Sequence, residues 1–204
     1  MVPVLPATAF DLQSIRRVLA THRARKYPKY GRPASVLVPL FERDGRPHVL
    51  LTKRTDRLAQ HAGQISFPGG KRDPEDIDAH ATALREAKEE VGLASEVVEI
   101  IGELDDCPTF VSNYVITPAV GVIPDRYPFV PNEEEIDFLL EAPLDAFLAP
   151  GAMRTEKAER NGILHTLYFY TVNGHVVWGA TARILTQLFS LLADDGDAFS
   201  DAIH

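Results

Sequence analysis

Residues 78–91 constrain this chain more than any other stretch. No glycine or proline interrupts them, and Gly92 follows in the position of a C-terminal helix cap. Advancing about 100° per residue puts Ala81, Leu84, Ala87 and Val91 on one stripe. Glu86, Glu89 and Glu90 then fall together on the opposite face. The spacing predicts a helix whose apolar stripe is buried and whose three carboxylates share one patch. Like charges at i, i+3 and i+4 repel by a few tenths of a kcal/mol per pair on a bare helix. A hard divalent cation removes that repulsion, since Mg²⁺ takes oxygen ligands and is usually held by carboxylates together with substrate phosphates. The plainer account is a solvated acidic face, partly neutralised by Arg85 and Lys88. What favours the cation is the stretch just upstream, Phe67-Pro68-Gly69-Gly70. Two glycines there permit the close backbone approach that a phosphate-facing loop requires.

The remaining pattern is that of one mixed domain. Residues 11–25 form an amphipathic helix, with Leu12, Ile15, Val18 and Leu19 at helical spacing and basic residues opposite. Pro28, Gly31 and Pro33 mark a linker. Strands are expected over 35–41 and 47–53, joined at the hairpin signal Asp44-Gly45. Pro39 inside the first predicts an edge position or a bulge. Further strands are expected over 97–104, 114–123 and 135–141, with a helical turn over 143–147. A second hairpin spans 164–172 and 174–178 around Asn173-Gly174, before a closing helix over 179–192 carrying Ile184, Leu185, Leu188 and Leu192. No internal repeat is visible. The fold class expected is α/β (α+β): a helical extension over 1–32, the main domain over 33–192, and an acidic tail over 193–204 with the composition of a disordered segment.

The chain has 204 residues, long enough to bury a core without disulfide or metal staples. The single cysteine, Cys107, excludes an intramolecular disulfide framework and fits a reducing compartment, so a cytoplasmic location is expected. Asp105 and Asp106 precede it and would raise its pKa, which argues against a nucleophile. No apolar run approaches the roughly 18 residues of a membrane span, and the first ten residues lack the pattern of a secretory signal. A net charge of −8 argues against nucleic acid and anionic membrane as partners. That charge is uneven, however. Residues 1–60 hold 12 Lys/Arg and 4 Asp/Glu, whereas 61–204 hold 9 and 25. Either the basic segment is simply a solvated helix and hairpin, or the molecule has a site for both a polyanion and cations.

The stretch 69–93 (GGKRDPEDIDAHATALREAKEEVGL) resembles the Nudix box. Arg85, Glu86, Glu89, Glu90, Gly92 and Leu93 match its helical half, Arg-Glu-x-x-Glu-Glu-x-Gly-apolar. The loop departs from the pattern: Gly70 to Arg85 is one residue longer, and Asp76 stands where a glutamate is common. The resemblance implies a Nudix-type α/β/α sandwich with a mixed central sheet. It also implies that Glu86, Glu89 and Glu90 bind Mg²⁺ or Mn²⁺, and that the activity is hydrolysis of a nucleoside diphosphate linked to another moiety. Glu86 and Glu90 are the expected ligands, one turn apart. Glu89 is either a third ligand or the acceptor of the attacking water's proton, and Arg85 orients a carboxylate of the set.

A second stretch, 50–70 (LLTKRTDRLAQHAGQISFPGG), is similar to the signature upstream of the box in coenzyme A pyrophosphatases. Leu50, Leu51, Thr52, Arg54, Gly63 and Phe67 to Gly70 match, as does the run VWGATARIL at 177–185. Thr55 replaces a smaller residue, and Ala59 stands where an arginine is expected, with Arg57 two residues away as its candidate replacement. This resemblance implies cleavage of coenzyme A or acyl-CoA to 3′,5′-ADP and (acyl-)4′-phosphopantetheine. Lys53, Arg54, Arg57 and His61, with Gly69 and Gly70, are then the substrate-binding candidates. Arginine's planar fork suits the additional 3′-phosphate. Glu135, in the acidic run Glu133 to Glu135 near Asp137, is a possible further carboxylate by position, and a homodimer is implied by the family alone. Tyr168 and Trp178 are expected in core or interface. Two other readings stay open: a Nudix hydrolase of ADP-ribose, NADH or nucleotide sugars, and a nucleotide-binding module without turnover, which has no need of all three glutamates.

Overall fold

A long central strand organises the molecule, and apolar residues on both its faces explain why helices cover both. The computed structural model describes residues 11–27, 31–57, 62–109, 112–160 and 162–193. Along the chain lie α1 (Leu12–Thr21), β1 (Arg32–Arg43), β2 (Arg46–Arg54), β3 (Ile65–Ser66), β4 (Gly69–Lys71) and α2 (Ala79–Val91). Then come β5 (Glu99–Glu103), β6 (Cys107–Pro108), β7 (Tyr114–Val122), β8 (Ile136–Pro143), β9 (Met153–Arg160), β10 (Ile163–Val172), β11 (His175–Trp178) and α3 (Gly179–Leu192). Eight strands form a mixed sheet with β3-β2-β1-β7-β5 as its main path. β4 is added on β1, β6 on β7 and β8 on β2, and β1 and β7 run parallel. Strands β11-β10-β9 form a separate antiparallel sheet.

Alternation along β1 and β2 sorts the core into two layers. Leu37, Phe41 and Leu50 pack under α2 with Ala83, Ala87 and Val91. Val38, Leu40, Val49 and Leu51 pack with Ile15 and Leu19 of α1 and with Ile184, Leu185 and Leu188 of α3. A strand buried on both faces reads as a continuous apolar run, which is why the sequence around Val36 to Phe41 shows no alternation. The result is the α/β/α sandwich expected. The helical extension is not separate: α1 belongs to the same core as α3. No helix among the described residues is long and apolar enough to cross a membrane.

Both predicted hairpins form, with Asp44, Gly45, Asn173 and Gly174 all at positive φ. Three expectations need correction. The first helix ends at Thr21 rather than Arg25, because residues 22–27 turn to meet the acidic segment 103–106. Pro39 lies neither on an edge nor at a bulge but in the central strand. β1 meets β4 at Ala34 to Val36 and β2 at Leu40 to Arg43 along one edge, and Pro39, without an N–H, occupies the gap between them. The buried stripe of α2 is rotated from the predicted one: Ala81 and Leu84 are only half-buried, whereas Thr82, Ala83, Ala87, Glu90 and Val91 are buried. Trp178 is half-exposed, while Tyr168 is in the core. Four strands were not foreseen, the short β3, β4 and β6 and the longer β9. β9 (MRTEKAER) is charged and exposed, and only its pairing with β10 makes it a strand.

The uneven charge is resolved within the fold. Arg16 pairs with Glu99, Arg25 and His22 with Asp105, and Lys26 with Glu103. Arg43 pairs with Asp125 and Glu141, Arg46 with Asp145 and Lys53 with Asp137. The basic first 60 residues therefore find much of their counter-charge in the acidic remainder.

Candidate active site

Helix α2 is fixed at both ends. Asp78 caps its start by accepting from the Ala81 N–H at 2.8 Å. At the other end Gly92 is left-handed (φ 68°), donating to Lys88 O, while Leu93 donates to Ala87 O. Beneath the helix, β4 lays Gly69 and Gly70 against Val36 and Ser35 of β1. A Cβ on Gly69 would stand 2.4 Å from Ser35 O, and one on Gly70 would stand 2.5 Å from the Glu86 carboxylate. Close approach to backbone thus requires a glycine at 69, whereas a side chain at 70 would displace the Glu86 carboxylate.

Over this cradle the three glutamates are not equivalent. Glu90 is 4% exposed, the Glu86 side chain 15% and the Glu89 side chain 59%. Glu90, predicted to lie opposite the buried stripe, is itself part of the buried face, because rotation of α2 turns it toward β4 and β2. It accepts from the Gly69 N–H at 3.3 Å and from Arg54 at 3.0 Å. Burial pushes its pKa up to about 7, with Glu86 and Glu135 adding to the rise and Arg54 and the Gly69 amide opposing it. Burial likewise raises Glu86, against Arg85.

Arg85 is the hub of the other half. Its guanidinium lies 3.0 Å from Glu86, 3.1 Å from Glu89 and 3.1 Å from Lys71 O. Asp76 grips it through two hydrogen bonds, at 3.0 and 3.1 Å. Asp76 is buried and also accepts from Thr82 Oγ1 and the Asp73 N–H; the Arg85 contacts chiefly hold its pKa down to about 2. The sequence departure at Asp76 therefore does not keep it from Arg85. A shorter acid still reaches the arginine, and it does so on a loop one residue longer. Arg85 thus ties Asp76, Glu86 and Glu89 together, which is more than a surface ion pair.

Other candidates separate clearly. Arg54 joins the site, bridging Glu90 and Glu135 (3.2 Å), and its Nε is buried without a partner. Glu135 is thereby brought to the site, although its run otherwise suggests a solvated loop. Lys53 goes elsewhere, to Asp137 at 2.8 Å and over the Phe138 ring. Arg57 is exposed, and His61 and Ala59 lie outside the described residues. Thr52 and Phe67 are buried, Thr52 donating to Ser66 O. Burial, with Asp106 adding to it and Arg183 opposing, raises the pKa of Cys107, which disfavours the thiolate.

The donor set suits a hard cation: two desolvated carboxylates one turn apart beside a backbone cradle. Among the described residues no three acidic, histidine or cysteine side chains already converge as a ligand group. Arg54 and Arg85 serve as counter-ions to Glu90 and Glu86 in this arrangement, and Glu89 is turned outward with Arg85.

Comparison with known proteins agrees with this geometry. The NUDIX domain family matches residues 31–159, ending at β9. An uncharacterized Nudix hydrolase NudL of Yersinia pestis (strain Pestoides F) is 42% identical over 157 residues, covering 77% of this chain and 78% of its own. The NudL of Yersinia pseudotuberculosis serotype O:1b shows the same values. In fold, the chain is similar to a MutT/nudix family protein from Enterococcus faecalis (TM-score 0.55, 16% identity, 90% of this chain and 70% of that one). It is also similar to a MutT protein from Methanosarcina mazei Go1 (TM-score 0.51, 16% identity, 84% and 99%). With the box residues assembled around one cradle and both relatives matching over most of their length, the chain belongs to the Nudix hydrolase family.

Proposed function

We propose that this Nudix hydrolase is a metal-dependent pyrophosphohydrolase that cleaves the diphosphate of coenzyme A or acyl-CoA to 3′,5′-ADP and (acyl-)4′-phosphopantetheine. The observation that carries the hydrolytic part is the pairing of Glu86 and Glu90 above Gly69-Gly70. Leaving two carboxylates desolvated side by side is costly unless a cation joins them. Nudix hydrolases generally use divalent metal ions, and here Glu86 and Glu90 would hold Mg²⁺ or Mn²⁺, with Glu89 a possible third ligand. Such an ion neutralises the diphosphate and makes water a better nucleophile.

The protein's own groups do the rest. The Gly69-Gly70 backbone leaves room for the diphosphate to approach closely. Glu89, the exposed member, is suited to accept the proton of the attacking water. Asp76 fixes Arg85, which in turn holds Glu86 and Glu89 in place. Arg54 neutralises part of the charge between Glu90 and Glu135. Choice of coenzyme A rests on the similarity of 50–70 and 177–185 to that family, with exposed Arg57, and His61 four positions further on, as cations for the extra phosphate. Lys53, held by Asp137, has a smaller part than the sequence suggests. The small-molecule substrate and the lone buried Cys107 accord with a cytoplasmic enzyme.

The test is turnover of a panel (coenzyme A, acetyl-CoA, ADP-ribose, NADH and nucleotide sugars) with Mg²⁺ or Mn²⁺, products being separated by chromatography. Preferred release of 3′,5′-ADP supports the coenzyme A reading. Faster cleavage of ADP-ribose or NADH transfers the assignment to that class. Nucleotide binding without any turnover would sink the enzymatic reading and favour a binding module.

A further inference from the structure

The outer edge of β9 is a surface that the catalytic reading leaves unused. β9 pairs with β10 along all 8 of its residues, and among the described residues no strand pairs with its other edge. β11 covers β10 only from Phe169 to Val172. The rest of the hairpin is a two-stranded ribbon, an arrangement that is marginal in water without a third strand. Its tip carries Ile163 and Leu164, each 59% exposed. A free edge of this length displays unpaired amides and carbonyls, ready to template another strand.

The side chains along that edge are self-complementary. The sequence is Glu156-Lys157-Ala158-Glu159-Arg160. Laying a second copy antiparallel, with the two-fold axis at Ala158, sets Lys157 opposite Glu159 of the partner subunit. It also sets Glu156 opposite Arg160 of the partner subunit. Symmetry repeats both, giving four pairs of opposite charge. Adjacent symmetric registers lose this: an axis at Lys157 opposes two lysines and two Arg154–Arg160 pairs, and an axis at Glu159 opposes two glutamates. Charges on an edge often serve to prevent pairing. A protective pattern repels its own copy, and this one attracts it. Within the hairpin Lys157 donates to Thr166 at 2.7 Å and Arg154 pairs with Glu156; these are exposed contacts that can exchange partners at little cost.

We propose that two copies of this chain associate through antiparallel pairing of β9 about Ala158, joining their small sheets into one of six strands. The hairpin ribbon gains its missing third strand, and the catalytic face of α2 takes no part.

Sedimentation equilibrium of the full chain over a wide concentration range tests this. The unaltered protein should show a reversible monomer–dimer equilibrium. Lys157→Glu sets glutamate against glutamate twice and should weaken the dimer roughly tenfold. Adding Glu159→Lys reverses both partners and should restore it. These side chains are exposed, and circular dichroism confirms that each variant is folded. A monomer at every concentration overturns the proposal. So does a dimer indifferent to Lys157→Glu, or a double variant no tighter than the single one.

Discussion

Asp105 and Asp106, beside α1 and α3, and Glu86 and Glu90, on α2, are all carboxylates withdrawn from water, but their surroundings differ. Burial pushes Asp105 up, and the Arg25 amide and guanidinium together with His22 more than reverse it, so its pKa ends below the usual carboxylate range. Asp106 accepts from the Tyr27 N–H at 2.9 Å and Thr117 Oγ1 at 2.8 Å. These acids are supplied with donors by the fold itself. Glu86 and Glu90 receive fewer, stand near each other, and are both raised by burial. A carboxylate satisfied within the chain ties segments together, whereas one left short of positive charge is available to an external cation.

The sharpest way to break this contrast is to neutralise one acid of each kind. Glu90→Gln should lower hydrolysis on the order of a thousandfold. Its thermal midpoint should stay level or rise, because a buried charge is removed. Near-normal turnover would refute the ligand assignment. Gly70→Ala should come next, losing on the order of a hundredfold, because its Cβ displaces the Glu86 carboxylate. Circular dichroism should stay unchanged, since the group that must move is the end of a flexible side chain.

Asp105→Ala should act in the opposite sense. Turnover per folded molecule stays normal, and stability falls by about 1–3 kcal/mol as the Arg25 amide loses its acceptor. Chemical denaturation checks this, and an unaffected midpoint would show that the contact contributes nothing. The smallest effect is in pH. Because folding lowers the Asp105 pKa, its contribution is complete above the unfolded value near 4 and is lost as pH falls through the folded one. Denaturation midpoints measured down the acid limb should therefore decline less steeply in Asp105→Asn than in the unaltered chain.

Much of this layout was legible because short-range rules govern it. The helix of α2, Gly92 as its cap, and Asp44-Gly45 and Asn173-Gly174 as hairpin turns are local signals, and each is realised. What escaped depends on distant partners. The rotation of α2 that buries Glu90 is set by Leu37, Phe41 and Leu50 across the sheet. The grip of Asp76 on Arg85 spans nine residues of loop and helix, and it rests on two hydrogen bonds that no local spacing announces. Asp105 drew notice only as a neighbour of Cys107, and its anchoring of Arg25 emerges only when residues 80 apart meet. β9 has no apolar alternation to announce it.

Pro39 has a consequence for the site some distance from it. Its ring fits β1 only where that strand's edge passes from β4 to β2. Sliding β1 by one residue, about 3.3 Å, would thrust the imino nitrogen against a partner that expects a donor. The proline thus acts as a mechanical stop on the central strand. Because Gly69 and Gly70 are aligned by Val36 and Ser35 of that same strand, the stop also sets the height at which the glycine cradle meets Glu86 and Glu90. Alignment of the candidate site's floor is inherited from a residue that lies outside it.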